Sequence, residues 1–349
     1  MPGVCGAARG RVYTRPVVLA GFQHRPGVHC GSTALSDALR ARGLDLSEPM
    51  AFGLGAGLGF YYLVGDALSP THVIQGRQWP LERTACEVLG APLAERTEDD
   101  PDRAWSEVEK ALARGLAPIL STDLRFLPYY GTRTAFNGHR VVLAGFDRDR
   151  RVALVADTER DGLLEVPFDD LEKARASDGQ PLGYTGRLWM EIDAPARPPP
   201  MRDAVARALR EQAKHMLLET GGPAGVSALD RFAVELPEWP RLAAGEADRA
   251  WCLRFAYQSI EKRGTGGGNF RALYARFLDE AASHHPAVAR LGLPERMRGL
   301  AGRWTKLALA FKELSDAPGA GVPVAVAELA AGLARDERSF YEEVAAFVP

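Results

Sequence analysis

The chain changes its pattern of apolar and polar positions near residue 196. Before this point, short runs rich in apolar and β-branched residues alternate with segments in which apolar residues recur at helical spacing. The strand-like runs cover residues 17–22, 117–124, 140–146, 152–156 and 187–192, and the helical segments cover 31–42, 102–114 and 168–176. This pattern predicts a mixed α+β region in the first half of the chain.

A proline cluster at residues 194–200 separates this region from a second one with a different pattern. Proline lacks a backbone N–H and fixes its φ angle, so the cluster ends any regular element. Beyond the cluster, helical spacing predicts helices over 201–219, 224–236, 247–262, 269–284, 295–315 and 323–346. We therefore predict an α+β domain over residues 1–195 and an all-α domain over residues 196–349.

Composition excludes several classes of protein. The 349 residues include 43 Lys and Arg against 45 Asp and Glu, so the formal net charge is −2, without the positive surplus that nucleic-acid binding needs. The sequence shows no signal-peptide pattern and no apolar segment long enough to span a membrane. The four cysteines, at positions 5, 30, 86 and 252, have no paired spacing, which predicts neither disulfides nor a zinc site and favours the cytoplasm.

Cys30 stands where a loop passes into a helix. A Pro-Gly loop follows the strand-like run, and the helical pattern begins at about Cys30. Unpaired backbone N–H groups and the helix dipole at such a position favour a thiolate over a thiol. Cys30 is therefore the candidate nucleophile. We expect Cys86 and Cys252, which lie within apolar helical patterns, to pack in the core, and we expect the neighbouring His29 to be structural.

His139 and Asp157 are predicted to meet across a β-hairpin. A strand begins at His139, a polar turn follows it, and the returning strand ends at Asp157. If Asp147 lies opposite Arg150, His139 falls within one position of the partner of Asp157. A carboxylate there can hold the imidazole tautomer that faces a thiol. Together with Cys30, the two residues predict a Cys-His-Asp triad for nucleophilic catalysis.

This order, with Cys on an early helix and His and Asp on consecutive later strands, resembles that of papain-like and bacteriocin-leader peptidases. Individual motifs more closely resemble the butirosin biosynthesis protein H N-terminal family. They are 29–35 (HCGSTAL), 46–48 (LSE), 52–55 (FGLG), 57–62 (GLGFYY), 76–77 (GR), 127–130 (LPYY) and 138–142 (GHRVV). Residues 261–271 and 273–278 are similar to the helical domain that commonly follows it, so the resemblance covers most of the chain.

The resemblance implies a papain-like cysteine-peptidase fold followed by an all-α domain. The namesake member of the family transfers an aminoacyl group from an acyl carrier protein thioester to an aminoglycoside amine. For this chain the resemblance implies a cysteine-dependent acyltransferase of natural-product biosynthesis, with an acyl carrier protein and a small-molecule amine as partners. It implies no cofactor beyond the phosphopantetheine arm that would present the acyl group.

Two residues before the nucleophile are candidates for binding an oxyanion. Papain-like peptidases place a Gln at a fixed distance before the catalytic cysteine. Here Gln23 stands seven positions before Cys30, one more than the papain-like spacing, and His24 occupies the position six before it. Either side chain has an N–H that can donate to an oxyanion together with the backbone N–H of Cys30.

Glu48 precedes a run of alternating glycines that ends at Phe60 and Tyr61. This run forms either a pocket wall, with Glu48 holding an amine, or a place of close packing against the catalytic helix. Tyr129 lies shortly before the predicted His139 strand, and we expect it to shape the approach to the site.

Arg271 follows the glycine-rich loop 264–268, which has no P-loop signature. The loop is either a corner between two helices or, together with Arg271, a binding site for an anion such as a phosphopantetheine phosphate.

Two alternatives to acyl transfer remain open at this point. Water or an internal nucleophile can capture the same acyl-enzyme, which would make the protein a hydrolase or a cyclase. The papain-like fold can also serve as a non-catalytic binding module. No metal is expected, because His72, His215, His284 and His285 have no companions at ligand spacing. The oligomeric state is open, with a homodimer as one possibility.

Overall fold

The computed structural model describes residues 16–218, 222–317, 319 and 321–347, and Cys5 lies outside them. The strands are, in chain order, β1 (Val17–Val18), β2 (Leu58–Val64), β3 (His72–Arg77), β4 (Leu93–Arg96), β5 (Ile119–Thr122), β6 (His139–Asp147), β7 (Val152–Ala156), β8 (Leu164–Pro167) and β9 (Trp189–Ile192). In the described part of the chain, seven of them form one antiparallel sheet in the order β4-β9-β5-β6-β7-β8, with β1 beside the end of β6. The other two, β2 and β3, form a separate antiparallel hairpin.

Helices surround the sheet and make up the second half of the chain. They are α1 (Cys30–Ala41), α2 (Glu48–Leu54), α3 (Leu81–Leu89), α4 (Pro101–Ala113), α5 (Phe168–Arg175), α6 (Met201–Leu217), α7 (Gly225–Glu235), α8 (Trp239–Leu242), α9 (Glu246–Glu261), α10 (Arg271–His284), α11 (Pro286–Arg290), α12 (Leu293–Asp316) and α13 (Val324–Phe347). Local capping explains where several begin. Ser47 accepts the Met50 N–H at the start of α2, and Asp100 accepts the Arg103 N–H at the start of α4.

The two halves of the chain share one apolar core. The β2–β3 hairpin packs against α7 and α9, and α2 packs against α10. Phe60 of β2 lies 5.7 Å from the Phe232 ring and 5.6 Å from the Trp304 ring, centroid to centroid. The proline cluster runs between the end of β9 at Ile192 and the start of α6 at Met201. Because apolar residues of both halves pack together, the division at residue 196 stays a prediction.

The alternating glycines serve close packing between elements. A Cβ added to Gly53 would lie 1.9 Å from the Phe277 ring of α10, and one added to Gly57 would lie 2.4 Å from Leu81. Larger side chains at these positions would therefore force the two elements apart. Of the two interpretations of this run, the structure favours close packing, with α10 and α3 as the neighbours.

Arg271 and Glu337 form a buried ion pair that connects α10 to α13. Arg271 donates from Nε and Nη2 to the Glu337 carboxylate at 2.9 and 2.6 Å, and from Nη1 to the carbonyl of Gly59 at 2.9 Å. Trp304 also donates to Glu337, at 2.6 Å. Arg271 Nη1 also donates to the carbonyl of Asn269, at 2.7 Å. Both charged side chains are fully buried, so protein groups and not solvent satisfy their charges.

The helices predicted in the second half agree closely with the described ones, whereas the strands of the first half agree less well. The run 152–156 matches β7, but 17–22 contains only the two-residue β1. Strands β2, β3, β4 and β8 were not predicted, since their short apolar runs fit a strand and a helix equally well, whereas the helical pattern around Cys86 corresponds to α3. The described chain contains no helix with the length and apolarity to cross a membrane.

Replacing Arg271 by Met should destabilise the protein by about 3–5 kcal/mol, because the Glu337 carboxylate would stay buried without its partner. The measurement is the urea dependence of unfolding, followed by circular dichroism. Arg276→Met, at an exposed position on the same helix, is the control and should shift stability by less than about 0.5 kcal/mol. Equal, small effects of both substitutions would contradict the structural role of Arg271.

Candidate active site

Cys30 is the first residue of α1, and its side chain is partly exposed. His29 caps the helix, since its Nδ1 accepts the Ser32 N–H at 3.2 Å, which agrees with the structural role expected for it. The backbone N–H groups of Cys30 and Gly31 begin the helix and have no acceptor one turn earlier within it. The thiol therefore lies in the positive field of a helix N-terminus.

Glu48 fixes the loop that precedes Cys30. Its carboxylate accepts the N–H of Val28 at 3.0 Å and that of His29 at 2.8 Å. It also accepts the hydroxyls of Ser32 and Thr33 at 3.1 and 3.2 Å. All four groups reach Oε1, and the Val28 N–H also reaches Oε2 at 3.1 Å, so the carboxylate holds the loop in place. The predicted contact with a substrate amine stays a prediction.

His139 begins β6, and Asp157 directly follows β7. The structure brings their side chains together, with the His139 Nε2 atom 2.8 and 2.9 Å from the two Asp157 oxygens. The hairpin closes with Asp147 opposite Val152, where the sequence predicted Arg150 opposite it, and the register shifts at a bulge after Leu143. The two side chains meet despite this difference because both lie at the same end of the hairpin.

Two further hydroxyls hold the Asp157 carboxylate. Tyr129 donates to Oδ2 at 2.7 Å and Thr158 donates to Oδ1 at 2.9 Å. Tyr129 lies on a 3-10 turn, Pro128–Tyr130. Because its hydroxyl contacts the Asp157 carboxylate, Tyr129 lies on the Asp157 side of His139. The next residue, Tyr130, contacts the imidazole edge to face, with ring centroids 5.5 Å apart.

His139 connects Asp157 to the thiol of Cys30. Since Nε2 faces Asp157, the other ring nitrogen, Nδ1, is the one left to interact with the Cys30 thiol. Burial by itself would lower the pKa of His139, but the adjacent Asp157 charge and the hydrogen bonds to Asp157 and Cys30 raise this pKa from 6.5 to about 10. Burial likewise opposes ionisation of Asp157, yet His139, Tyr129 and Thr158 hold the pKa of its carboxyl below the usual value.

The pKa of Cys30 lies below the usual thiol value of 9.0. Burial would raise this pKa, but the hydrogen bond with His139, the charges of His139 and Arg77 and the backbone N–H of Arg140 together lower it. The other two described cysteines differ, since burial raises the pKa of Cys86 to about 12 and also raises the pKa of Cys252. Cys30 is thus the thiol whose surroundings favour the thiolate.

Three charged residues beside the thiol were not singled out by the sequence. Arg77, at the end of β3, places its guanidinium over the exposed Trp79 ring at 4.5 Å, and its charge acts on Cys30. Glu82 of α3 lies against Gly31, where an added Cβ would be 3.0 Å from its carboxylate. Arg140 follows His139, and its Nε lies 3.9 Å from Glu82. No spacing along the chain links these residues, because the contacts exist only in the folded protein.

The two oxyanion candidates lie on the loop before α1, and the structure gives His24 other partners. Its Nδ1 lies 2.5 Å from the buried Asp37 carboxylate, and its Nε2 lies 2.9 Å from the carbonyl of Arg160. Neither ring nitrogen is left for an oxyanion in this arrangement. Gln23 is exposed, and its backbone carbonyl accepts a hydrogen bond from the Arg40 side chain at 3.3 Å.

The remaining substrate candidates divide into one near Arg77 and two in the core. Tyr61 is half-buried, donates to Gln78 at 2.6 Å and lies within the electrostatic range of Arg77. Phe60 is fully buried and packs against Phe232 and Trp304 of the second half. Arg271 is occupied by Glu337, so its guanidinium is not free to bind a phosphate.

The glycine-rich loop 264–268 reaches back to the nucleophile loop. A Cβ on Gly266 would lie 2.9 Å from Val28, two residues before Cys30. An open groove of about 760 Å³ runs beside this contact. It is lined by Val28, Gly266, Gly267, Gly268, Ala272, Ala275, Arg276, Asp279, Arg298, Ala301, Gly302 and Thr305. The cations on this groove are Arg276 and Arg298, and Arg298 is paired with Asp279 at 2.7 Å.

Glu48→Gln should destabilise the protein by about 1–3 kcal/mol, because the neutral amide oxygen is a weaker acceptor and the amide nitrogen would face the Val28 N–H in place of Oε2. It should also slow alkylation of Cys30, since the start of α1 would lose its anchor. The measurements are urea unfolding and the rate of iodoacetamide labelling, with the exposed Glu87→Gln of α3 as control. A variant with normal stability and normal labelling, altered only in its affinity for an amine, would favour the substrate-binding interpretation instead.

Iodoacetamide should label Cys30 with a pH midpoint below 9.0 and leave Cys86 and Cys252 unmodified at neutral pH. The rate should rise with pH as the thiolate forms. Arg77→Met should move the midpoint upward by roughly 0.5–1 pH unit, because a positive charge near the sulfur is removed. Peptide mapping by mass spectrometry measures each site.

The matched control for this experiment is Arg83→Met, which removes an exposed guanidinium paired with Glu95. It should leave the midpoint of Cys30 labelling unchanged. A wild-type midpoint at or above 9.0, or equal midpoints for wild type and Arg77→Met, would contradict the proposed electrostatics.

Two family models match successive segments of the chain. The model of the family described as butirosin biosynthesis protein H, N-terminal, matches residues 29–158, a segment that begins next to Cys30 and ends just after Asp157. The model of a domain of unknown function, DUF4872, matches residues 169–344. A search of curated proteins finds no significant match. The chain therefore belongs to the butirosin biosynthesis protein H N-terminal family, with a DUF4872 domain after the segment that contains its Cys, His and Asp group.

Proposed function

We propose that the protein is a cysteine-dependent acyltransferase of natural-product biosynthesis. It would move an acyl or aminoacyl group from an acyl carrier protein thioester to a small-molecule amine through an acyl-enzyme on Cys30. The observation that supports this most directly is the group at the start of α1, in which the Cys30 thiol interacts with His139, and Nε2 of His139 lies 2.8 Å from an Asp157 oxygen. Family membership adds the biosynthetic context.

In the first half-reaction, the Cys30 thiolate attacks the carbonyl carbon of the thioester. The carbonyl oxygen becomes an oxyanion, and the N–H groups of Cys30 and Gly31 at the start of α1 are placed to donate to it. Collapse of the intermediate breaks the bond to the carrier sulfur. The departing thiolate takes a proton from the His139 imidazolium, which leaves an acyl-enzyme and a neutral imidazole.

In the second half-reaction, the acceptor amine attacks the acyl-enzyme. His139 takes a proton from the attacking nitrogen, and the thiolate of Cys30 leaves, which restores the ion pair. Asp157 keeps its negative charge throughout. It orients the imidazole and stabilises the imidazolium, and the hydroxyls of Tyr129 and Thr158 orient Asp157 in turn.

The same proposal assigns the surroundings of the site. The first half of the chain would be a papain-like domain, since Cys30 heads a helix that packs against the sheet strand carrying His139. The phosphopantetheine arm would be part of the donor substrate, with no separate cofactor, and the groove beside Val28 offers it a route along the surface. A reactive thiol of this kind suits the reducing cytoplasm.

Incubation with an aminoacylated or acylated carrier protein should add one acyl mass to the protein, on the peptide containing Cys30. Cys30→Ala should abolish both the adduct and turnover. Asp157→Asn should lower kcat by roughly 10²–10⁴-fold, because the imidazole loses the anion that stabilises its charged form. Intact-mass analysis detects the adduct, and product analysis measures the turnover.

Cys86→Ala is the matched control, since it removes a buried thiol of α3 whose pKa is raised, and it should retain the adduct. Unchanged turnover in Cys30→Ala would refute the proposal. Release of free acid at the same rate with and without an amine acceptor would replace the transferase by a hydrolase that uses the same three residues.

A further inference from the structure

A second group of metal-binding side chains lies away from the candidate active site, where β3 meets α9. His72 begins β3, and Asp248 and Cys252 are one turn apart on α9. One ligand atom from each lies within 4.8 Å of the other two. His72 and Cys252 are buried, whereas Asp248 is half-buried and is the most exposed of the three.

The distances between these atoms are close to those that a tetrahedral metal requires. The sulfur of Cys252 lies 3.9 Å from Nδ1 of His72 and 3.7 Å from Oδ2 of Asp248. Around a zinc ion with ordinary bond lengths, a sulfur and a nitrogen or oxygen ligand are about 3.5 Å apart. Contraction of these two distances by a few tenths of an ångström would match that geometry, and the ligand atoms of His72 and Asp248 lie within 4.8 Å of each other.

Thr71 supplies a possible fourth ligand. Its hydroxyl lies 2.9 Å from Nδ1 of His72, 2.5 Å from Oδ2 of Asp248 and 3.7 Å from the sulfur of Cys252. The hydroxyl is thus close enough to all three atoms to share a metal with them. The half-buried edge of Asp248 also leaves room for a water molecule in this position.

Charge and ligand chemistry select the kind of metal. A thiolate, a carboxylate and a neutral imidazole carry two negative charges, which a divalent cation neutralises in this largely buried place. Mixed sulfur, nitrogen and oxygen ligands at tetrahedral spacing suit Zn²⁺, and Co²⁺ can replace it, whereas Mg²⁺ and Ca²⁺ prefer oxygen ligands.

We propose that His72, Asp248 and Cys252 bind one zinc-class divalent cation that links β3 to α9. Binding replaces the proton on the Cys252 sulfur with a metal–sulfur bond, so one proton is released for each cation bound. The role is structural, since the site joins the strand that ends at Arg77 beside the nucleophile to a helix of the second half.

The test uses the full chain without an affinity tag, stripped of metals by a chelator and then titrated with Co²⁺. A thiolate ligand gives Co²⁺ a charge-transfer absorption band in the near ultraviolet, which reports on sulfur coordination directly. We expect this band to saturate at about one equivalent, and we expect one equivalent of Zn²⁺ to abolish it and raise the melting temperature.

Substitutions of single cysteines identify the sulfur that gives rise to the charge-transfer band. Cys252→Ser should lose it, whereas Cys30→Ser and Cys86→Ser should retain it. Asp248→Asn keeps the thiol and changes a half-buried group, so it should fold, retain the band and require a higher Co²⁺ concentration to saturate it. This variant keeps the test decisive if Cys252→Ser fails to fold.

Three results would overturn the proposal. They are a wild-type protein without the band, a band that disappears in Cys30→Ser, and an Asp248→Asn titration identical to that of the wild type. Failure of this site leaves the proposed acyl transfer untouched, because Cys30, His139 and Asp157 take no part in it.

Discussion

The hydrogen bonds of the Glu48 carboxylate are the interaction on which the candidate site depends. They gather the backbone N–H groups of Val28 and His29, so the loop turns into α1 with Cys30 as its first residue. A second bond, from the Gly27 N–H to the Thr158 carbonyl at 2.9 Å, joins this loop to the segment that carries Asp157. The nucleophile and its partners are therefore positioned by two backbone attachments that lie outside the reacting groups.

Electrostatics at the site follow from this positioning. A thiolate and an imidazolium are stable together in a mostly buried place only when each supplies the charge that the other lacks. The Asp157 carboxylate extends this balance, since it holds the proton on His139, and Arg77 adds positive charge on the other side of the sulfur. Burial, which alone would favour a neutral thiol, is overcome by the number of donors and cations close to Cys30.

Much of the candidate site could be predicted from the sequence, because the sequence signals for it are local. The pattern of residues around Cys30 is enough to predict a cysteine at a loop-to-helix junction. The hairpin brings His139 close to Asp157 even though the predicted register of the turn was wrong by two residues. The partners of Glu48 could not be predicted, since two of them are backbone N–H groups, which every sequence contains. The ion pair of Arg271 could not be predicted for a related reason, because its partner Glu337 lies 66 residues away.

The sequence by itself determined the helices of the second half and the three residues proposed for catalysis. Periodicity and capping act over a few residues, so they can be read along the chain. Only the tertiary structure decided that the β2–β3 hairpin packs on helices of the second half. The same packing brings Arg77 to the thiol and His72 to Asp248 and Cys252, because contacts between distant segments depend on which apolar faces are buried together.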